Sequence, residues 1–123
     1  MEWRFNDGGR AAAGFPGHTG DCACRSIAIA TERPYQEVRE ALNGENDTST
    51  IRHYLEAQGW RWIPTARIHS PRRRHLKARE LPPGRLIVSL SHHLTAVIDG
   101  VIHDNHDPSV NETRIVYGYF ERR

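Results

Sequence analysis

Two cysteines, eight histidines and fifteen carboxylates are the groups in this 123-residue chain that could carry chemistry. Cys22 and Cys24 stand one residue apart, and side chains at that spacing point away from each other in a helix or a strand, so a disulfide between them would be badly strained. Two free thiols are expected, as in a reducing compartment. A thiol becomes a useful nucleophile when something favours its thiolate, and the start of a helix does so through unpaired N–H groups and the helix dipole. Cys22 occupies such a position. The run from Cys22 to Thr31 (CACRSIAIAT) concentrates alanine and isoleucine and reads as a short buried helix, preceded by Asp21, a favoured capping residue. Cys24 lies further in and reads as a small core residue.

A nucleophilic cysteine needs a base, and the base needs a group that orients it. Asp99-Gly100 between two apolar runs predicts a two-residue hairpin turn, joining His93–Ile98 to Val101–Asn105. In that register Ala96 faces His103 and Thr95 faces Asp104. Side chains alternate between faces, so His93, Thr95 and Val97 share one face with Asp104 and His106, while His92, Leu94, Ala96 and Ile98 share the more apolar one. His93 and Asp104 become diagonal neighbours, near enough for the carboxylate to fix the imidazole's tautomer. His92 with Asp107 is an alternative base and acid in the same register, on the face that reads as core. A third possibility is a metal held by some of His92, His93, His103, His106, Asp104 and Asp107, since imidazole and carboxylate are usual ligands; their spacing matches no standard metal pattern, and no metal or other cofactor is expected.

The elements that must position these groups follow from the pattern. The first 20 residues hold five glycines and read as loop. A second helix runs over Pro34–Leu42, with Asn43-Gly44 to end it, and a third starts after Asp47-Thr48-Ser49, with Ile51, Tyr54, Leu55 and Gln58 on one face and Gly59 as the stop. Beyond Trp60 the chain turns β-rich: Trp60 to Pro64, Arg85 to Leu90, the hairpin, and a closing strand over Arg114–Phe120. Helices first and an antiparallel sheet afterwards give an α+β class in a single domain spanning 1–123.

The run Gly20-Asp21-Cys22-Ala23-Cys24-Arg25-Ser26-Ile27-Ala28 resembles the nucleophile motif of ovarian-tumour-type deubiquitinases, and His93 followed by Asp104 on a hairpin is similar to the histidine and acid region of papain-like cysteine peptidases, including the peptidase domains of bacteriocin exporters. The resemblance covers residues 20–31 and 90–108. It implies a papain-like fold, helices packed on the sheet with the nucleophile at a helix start, and a thiol-dependent hydrolase or acyl transferase acting on a peptide, isopeptide or amide bond through Cys22, His93 and Asp104. The chain also departs from these patterns. The ovarian-tumour motif has an aspartate three residues before the cysteine where Thr19 stands here, and the papain pattern has a glutamine six before where Pro16 stands. For the oxyanion hole, the Cys22 N–H is one candidate donor, and Thr19, His18 or Asn6 another.

Composition is that of an ordinary soluble domain: 37% hydrophobic, 26% charged, net charge +2. No apolar run approaches the roughly 18 residues of a spanning helix, and the charged N-terminus does not read as a secretory signal, so no membrane partner and a cytoplasmic setting are expected. A protein or peptide substrate is the expected partner. The basic cluster Arg72, Arg73, Arg74, His75, Lys77 and Arg79 reads as a solvated loop; its rival reading is a non-catalytic module binding nucleic acid or an acidic surface, with Trp60 and Trp62 nearby. A metal-dependent hydrolase using the hairpin histidines is the other rival.

Overall fold

The computed structural model describes residues 1–15, 21–44, 47–65 and 74–122. Its elements run β1 (Trp3–Phe5), α1 (Cys22–Thr31), α2 (Tyr35–Leu42), α3 (Thr48–Glu56), β2 (Trp60–Pro64), β3 (Arg74–His75), a 3₁₀ turn (Ala78–Glu80), β4 (Arg85–Leu90), β5 (His93–Ile98), β6 (Val101–Asp104), β7 (Ile115–Val116) and β8 (Gly118–Arg122). The class is α+β, as the order of elements predicts.

The helices are built much as their sequences suggest. Asp47 caps α3, its carboxylate accepting the Thr50 N–H at 3.0 Å. Asn43 ends α2 in the left-handed region at φ 51°. Helix α1 is unusual in being buried at every position from Ala23 to Ala30. It lies across β4, β5 and β6 with α2 against its outer side, so small alanines and branched isoleucines suit both contacts.

The main sheet has the order β1-β6-β5-β4-β8-β2. The expected hairpin is present in the expected register, Ala96 opposite His103 and Ile98 opposite Val101. Asp99 at φ 47° and Gly100 at φ 80° form the primed turn that a right-twisted hairpin requires. Three expectations need correction. The sheet is mixed, because β1 joins the edge in parallel with β6, and so the first 20 residues are not all loop. The closing strand is two strands: Ile115–Val116 pairs with β3, and after the exposed Tyr117 the chain enters the main sheet as β8. The stretch after residue 73 is not simply a solvated loop, because Arg74–His75 is paired with β7 and Leu76 is fully buried.

The sheet is covered on both faces. Ile87, Ala96 and Phe120 join α1, α2 and α3 in one core with Trp60 at its edge. Leu86, Val88, Val97, Ile102 and Tyr119 form a second core with Leu76, Leu81 and Val116 on the opposite face. Both alternating sets of the hairpin are therefore interior, and a site that meets solvent must sit at an end of the sheet.

Candidate active site

That end is where β4 and β6 finish and β5 begins. His93 opens β5, antiparallel Asp104 closes β6, and Leu90, the last residue of β4, pairs with His93. Helix α1 starts there too, with Cys22. Two structural periods thus bring the three groups together: alternation along the hairpin places His93 and Asp104, and the crossing of α1 over β5 places the cysteine.

His93 Nε2 lies 2.7 Å from Asp104 Oδ2. The Cys22 thiol lies beside the same ring, close enough for the imidazole to act on it both by hydrogen bonding and by charge. The Leu94 N–H, at the start of β5, adds to the stabilisation of the Cys22 thiolate. Asp104 is buried at 3% exposure, and its Oδ2 accepts a second hydrogen bond from Thr95 Oγ1 at 2.8 Å, while Oδ1 takes the Asn105 N–H at 2.7 Å. Burial alone raises an Asp104 carboxyl, but the hydrogen bonds of His93 and Thr95, the charge of His93 and the Asn105 N–H hold it below the ordinary carboxylate range.

The two ends of the Cys22–His93 contact move in opposite directions. Burial pushes the Cys22 thiol up, yet the hydrogen bonds of His93 and Leu94 and the positive charges of His93 and Arg25 bring it below its usual value. Burial pulls His93 down, and the hydrogen bonds and negative charges of Asp104 and Cys22 overturn that and raise it to about 9. The arrangement favours thiolate and imidazolium side by side. Cys24, two residues on, shows the contrast: burial and the Asp21 charge push its thiol up, and no imidazole offsets them.

Behind Cys22 lies a polar network that the sequence reading missed. Asp21 precedes the helix but does not cap it with its side chain. Its carboxylate instead takes Arg10 NH1, the Tyr35 hydroxyl at 2.8 Å and, one turn along α1, the guanidinium of Arg25. The Arg25 NH2 lies 3.6 Å from Asp104 Oδ1. A signal was present, since one arginine inside an otherwise small and apolar ten-residue run demands a buried partner. Thr95 was likewise placed opposite Asp104 by the hairpin register without being given a task.

The other candidates do not join this triad. His92 lines the same cleft as Cys22 and His93, but it belongs to the turn between β4 and β5, at φ 56°, and not to the strand, so the parity that put it on the core face does not apply. Asp107 caps its own loop through the Ser109 N–H at 2.9 Å, and no hydrogen bond or ion pair joins it to His92 among the described residues. His103 lies beside Arg4 in the sheet; burial, with Arg4 and Arg85, lowers its pKa. Of the possible metal ligands only His93, Asp104 and His106 converge, with ligand atoms within 4.8 Å of one another. Asn6 sits on the acid's side of the site: its N–H donates to the Asp104 carbonyl at 2.8 Å and its side-chain oxygen is held by the Gly8 N–H. The oxyanion candidates His18 and Thr19 lie outside the described residues, as do Arg72 and Arg73 of the basic cluster.

A cleft of about 590 Å³ opens onto Cys22 and His93. Ile51 of α3 and the tilted ring pair Trp62 and Phe120, centroids 4.9 Å apart with 55° between the planes, supply apolar wall, with Arg52 at the same opening. The Trp62 ring packs directly against Gly118, where a Cβ would be 2.3 Å from it. Among the described residues no helix is long and apolar enough to cross a membrane. Searches against protein-family models, curated proteins and solved structures found no match for the chain.

Proposed function

We propose that this chain is a papain-like cysteine hydrolase or acyl transferase acting on a peptide, isopeptide or amide bond, with Cys22 as nucleophile, His93 as its acid and base, and Asp104 as the orienting carboxylate. The observation that carries this reading is the position of one imidazole between a thiol at a helix start and a buried carboxylate. The Cys22 thiolate attacks the carbonyl carbon and a tetrahedral intermediate forms. Cys22 is the first residue of α1, so its N–H has no partner within the helix and can face the developing oxyanion. The His93 imidazolium protonates the leaving amine as the C–N bond breaks, leaving an acyl group on sulfur. Neutral His93 then deprotonates water or another acceptor, which displaces the thiolate. The cleft gives a substrate a route to the sulfur.

The test is an acyl-enzyme trap. Brief exposure to p-nitrophenyl acetate and acid quenching should leave one acetyl group, on the peptide containing Cys22, and Cys22→Ala should leave none. Acetylation spread over lysines with Cys22 unmodified would defeat the proposal. A second reading has its own observation, the convergence of His93, Asp104 and His106. It makes the site a metal centre, and it predicts hydrolysis lost to a chelator and restored by zinc but indifferent to alkylation of Cys22.

A further inference from the structure

We propose that Arg25 is a positioning residue that ties the helix carrying the nucleophile to the carboxylate that holds the base. The inference rests on the reading of Cys22 as nucleophile. Arg25 is only 5% exposed. A buried guanidinium is a costly choice, since apolar residues of similar size fill such a space as well or better, and removing one partner of a buried pair leaves a stranded charge. As a neutraliser of Asp21, one turn earlier on the same helix, Arg25 would need to go no further. It does go further: NH2 crosses from α1 to β6 and lies 3.6 Å from Asp104 Oδ1. Its Nε is buried without a hydrogen-bond partner among the described residues, so the guanidinium is aimed at two carboxylates and not at its own best satisfaction.

The bridge divides the work of Asp104. Oδ2 receives His93 Nε2 and Thr95 Oγ1, while Oδ1 faces Arg25 and the Asn105 N–H. With both oxygens engaged from different elements, the carboxylate is held against rotation and keeps its bond to the imidazole. The N-terminal segment seals this arrangement. Gly8, at φ 71°, packs so closely that a Cβ there would lie 2.9 Å from the Arg25 Cα and carbonyl oxygen, and the Asn6 N–H holds the Asp104 carbonyl. Away from water the Arg25 charge acts at longer range, and Cys22 lies within that range.

The experiment is the pH dependence of Cys22 alkylation by iodoacetamide, followed by peptide mass spectrometry in wild type, Arg25→Met and Arg25→Lys, each checked for cooperative thermal unfolding. Arg25→Met should move the midpoint for Cys22 up by about one pH unit. Arg25→Lys, which keeps a charge but reaches one carboxylate only, should fall between the two. A merely structural arginine lowers the unfolding temperature and leaves the midpoint where wild type has it, and that result overturns the proposal. If Arg25→Met does not fold, the lysine variant decides alone, a midpoint above wild type supporting the bridge and an identical one rejecting it. Selectivity for Cys22 over Cys24 in the wild-type sample reports on the nucleophile separately, so the two ideas can fail independently.

Discussion

At the scale of single residues, the site is a contrast between two thiols two positions apart. Cys22 has an imidazole, a backbone N–H and a nearby guanidinium; Cys24 has hydrocarbon and the Asp21 carboxylate. Cys22 was legible because a helix start can be read from composition, and His93 with Asp104 because hairpin parity is strict. Arg25 and Thr95 were not assigned, since their tasks depend on which oxygen of Asp104 each faces. Two outcomes follow at this scale. Asp104→Asn should slow acetylation of Cys22 by roughly tenfold or more, because an amide cannot stabilise the imidazolium and no longer enforces the same tautomer; stopped-flow release of p-nitrophenolate measures it. In the wild type the rate of leaving-amine expulsion should fall as the pH rises through about 9, where His93 loses its proton. A rate that continues to climb past that point would show that His93 is not the acid.

At the scale of elements, α1 and the β5–β6 hairpin do the positioning, and both are local structures. A ten-residue helix and a two-residue turn can be recognised from adjacent residues, which is why α1, the turn at Asp99-Gly100 and the register all match the sequence reading. The elements that were missed owe their existence to distant partners. Trp3–Phe5 has no alternating pattern, all three residues being exposed, and is a strand only because β6 offers it an edge. The break at Tyr117 reflects the transfer of the chain from β3 to the main sheet. Gly118 is also a tertiary matter, its missing Cβ giving room to the Trp62 ring that walls the cleft. Gly118→Ala should therefore cost about 2 kcal/mol or more in urea unfolding, far beyond what strand propensity predicts for glycine to alanine. Asp47→Ala removes the α3 cap and should cost about 1 kcal/mol. Equal, near-zero effects would show that neither contact bears on stability.

At the scale of the whole molecule, the same charges that prepare the site should shape stability against pH. Asp21 and Asp104 both sit below the ordinary 3.8, burial being outweighed by Arg10, Tyr35 and Arg25 in one case and by His93 and Thr95 in the other. Their contribution is complete above 3.8 and is lost as pH falls through their lowered values. His93, raised from 6.5 to about 9, contributes fully below 6.5 and less as pH climbs through 9. Cys22, lowered from 9.0, acts with the opposite sign as pH approaches 9, so the pair largely cancels. The unfolding temperature should thus fall steeply as the pH drops below 3.8 and change little between 6.5 and 9. A steep alkaline loss with a flat acid side would contradict the charge assignments. The general layout, helices and then sheet, was readable from periodicity, whereas the covering of the second sheet face by Leu76, Leu81 and Val116 was not, because those residues come from segments too short to announce themselves.

The most direct test of the central claim is brief iodoacetamide treatment of the folded wild type at about pH 6, with the labelled cysteine located by peptide mass spectrometry. The thiolate–imidazolium pair predicts carboxamidomethylation at Cys22, none at Cys24, and loss of the Cys22 label in His93→Ala. Equal labelling of the two thiols, or labelling of Cys22 that begins only above its ordinary pKa and ignores His93, would contradict it.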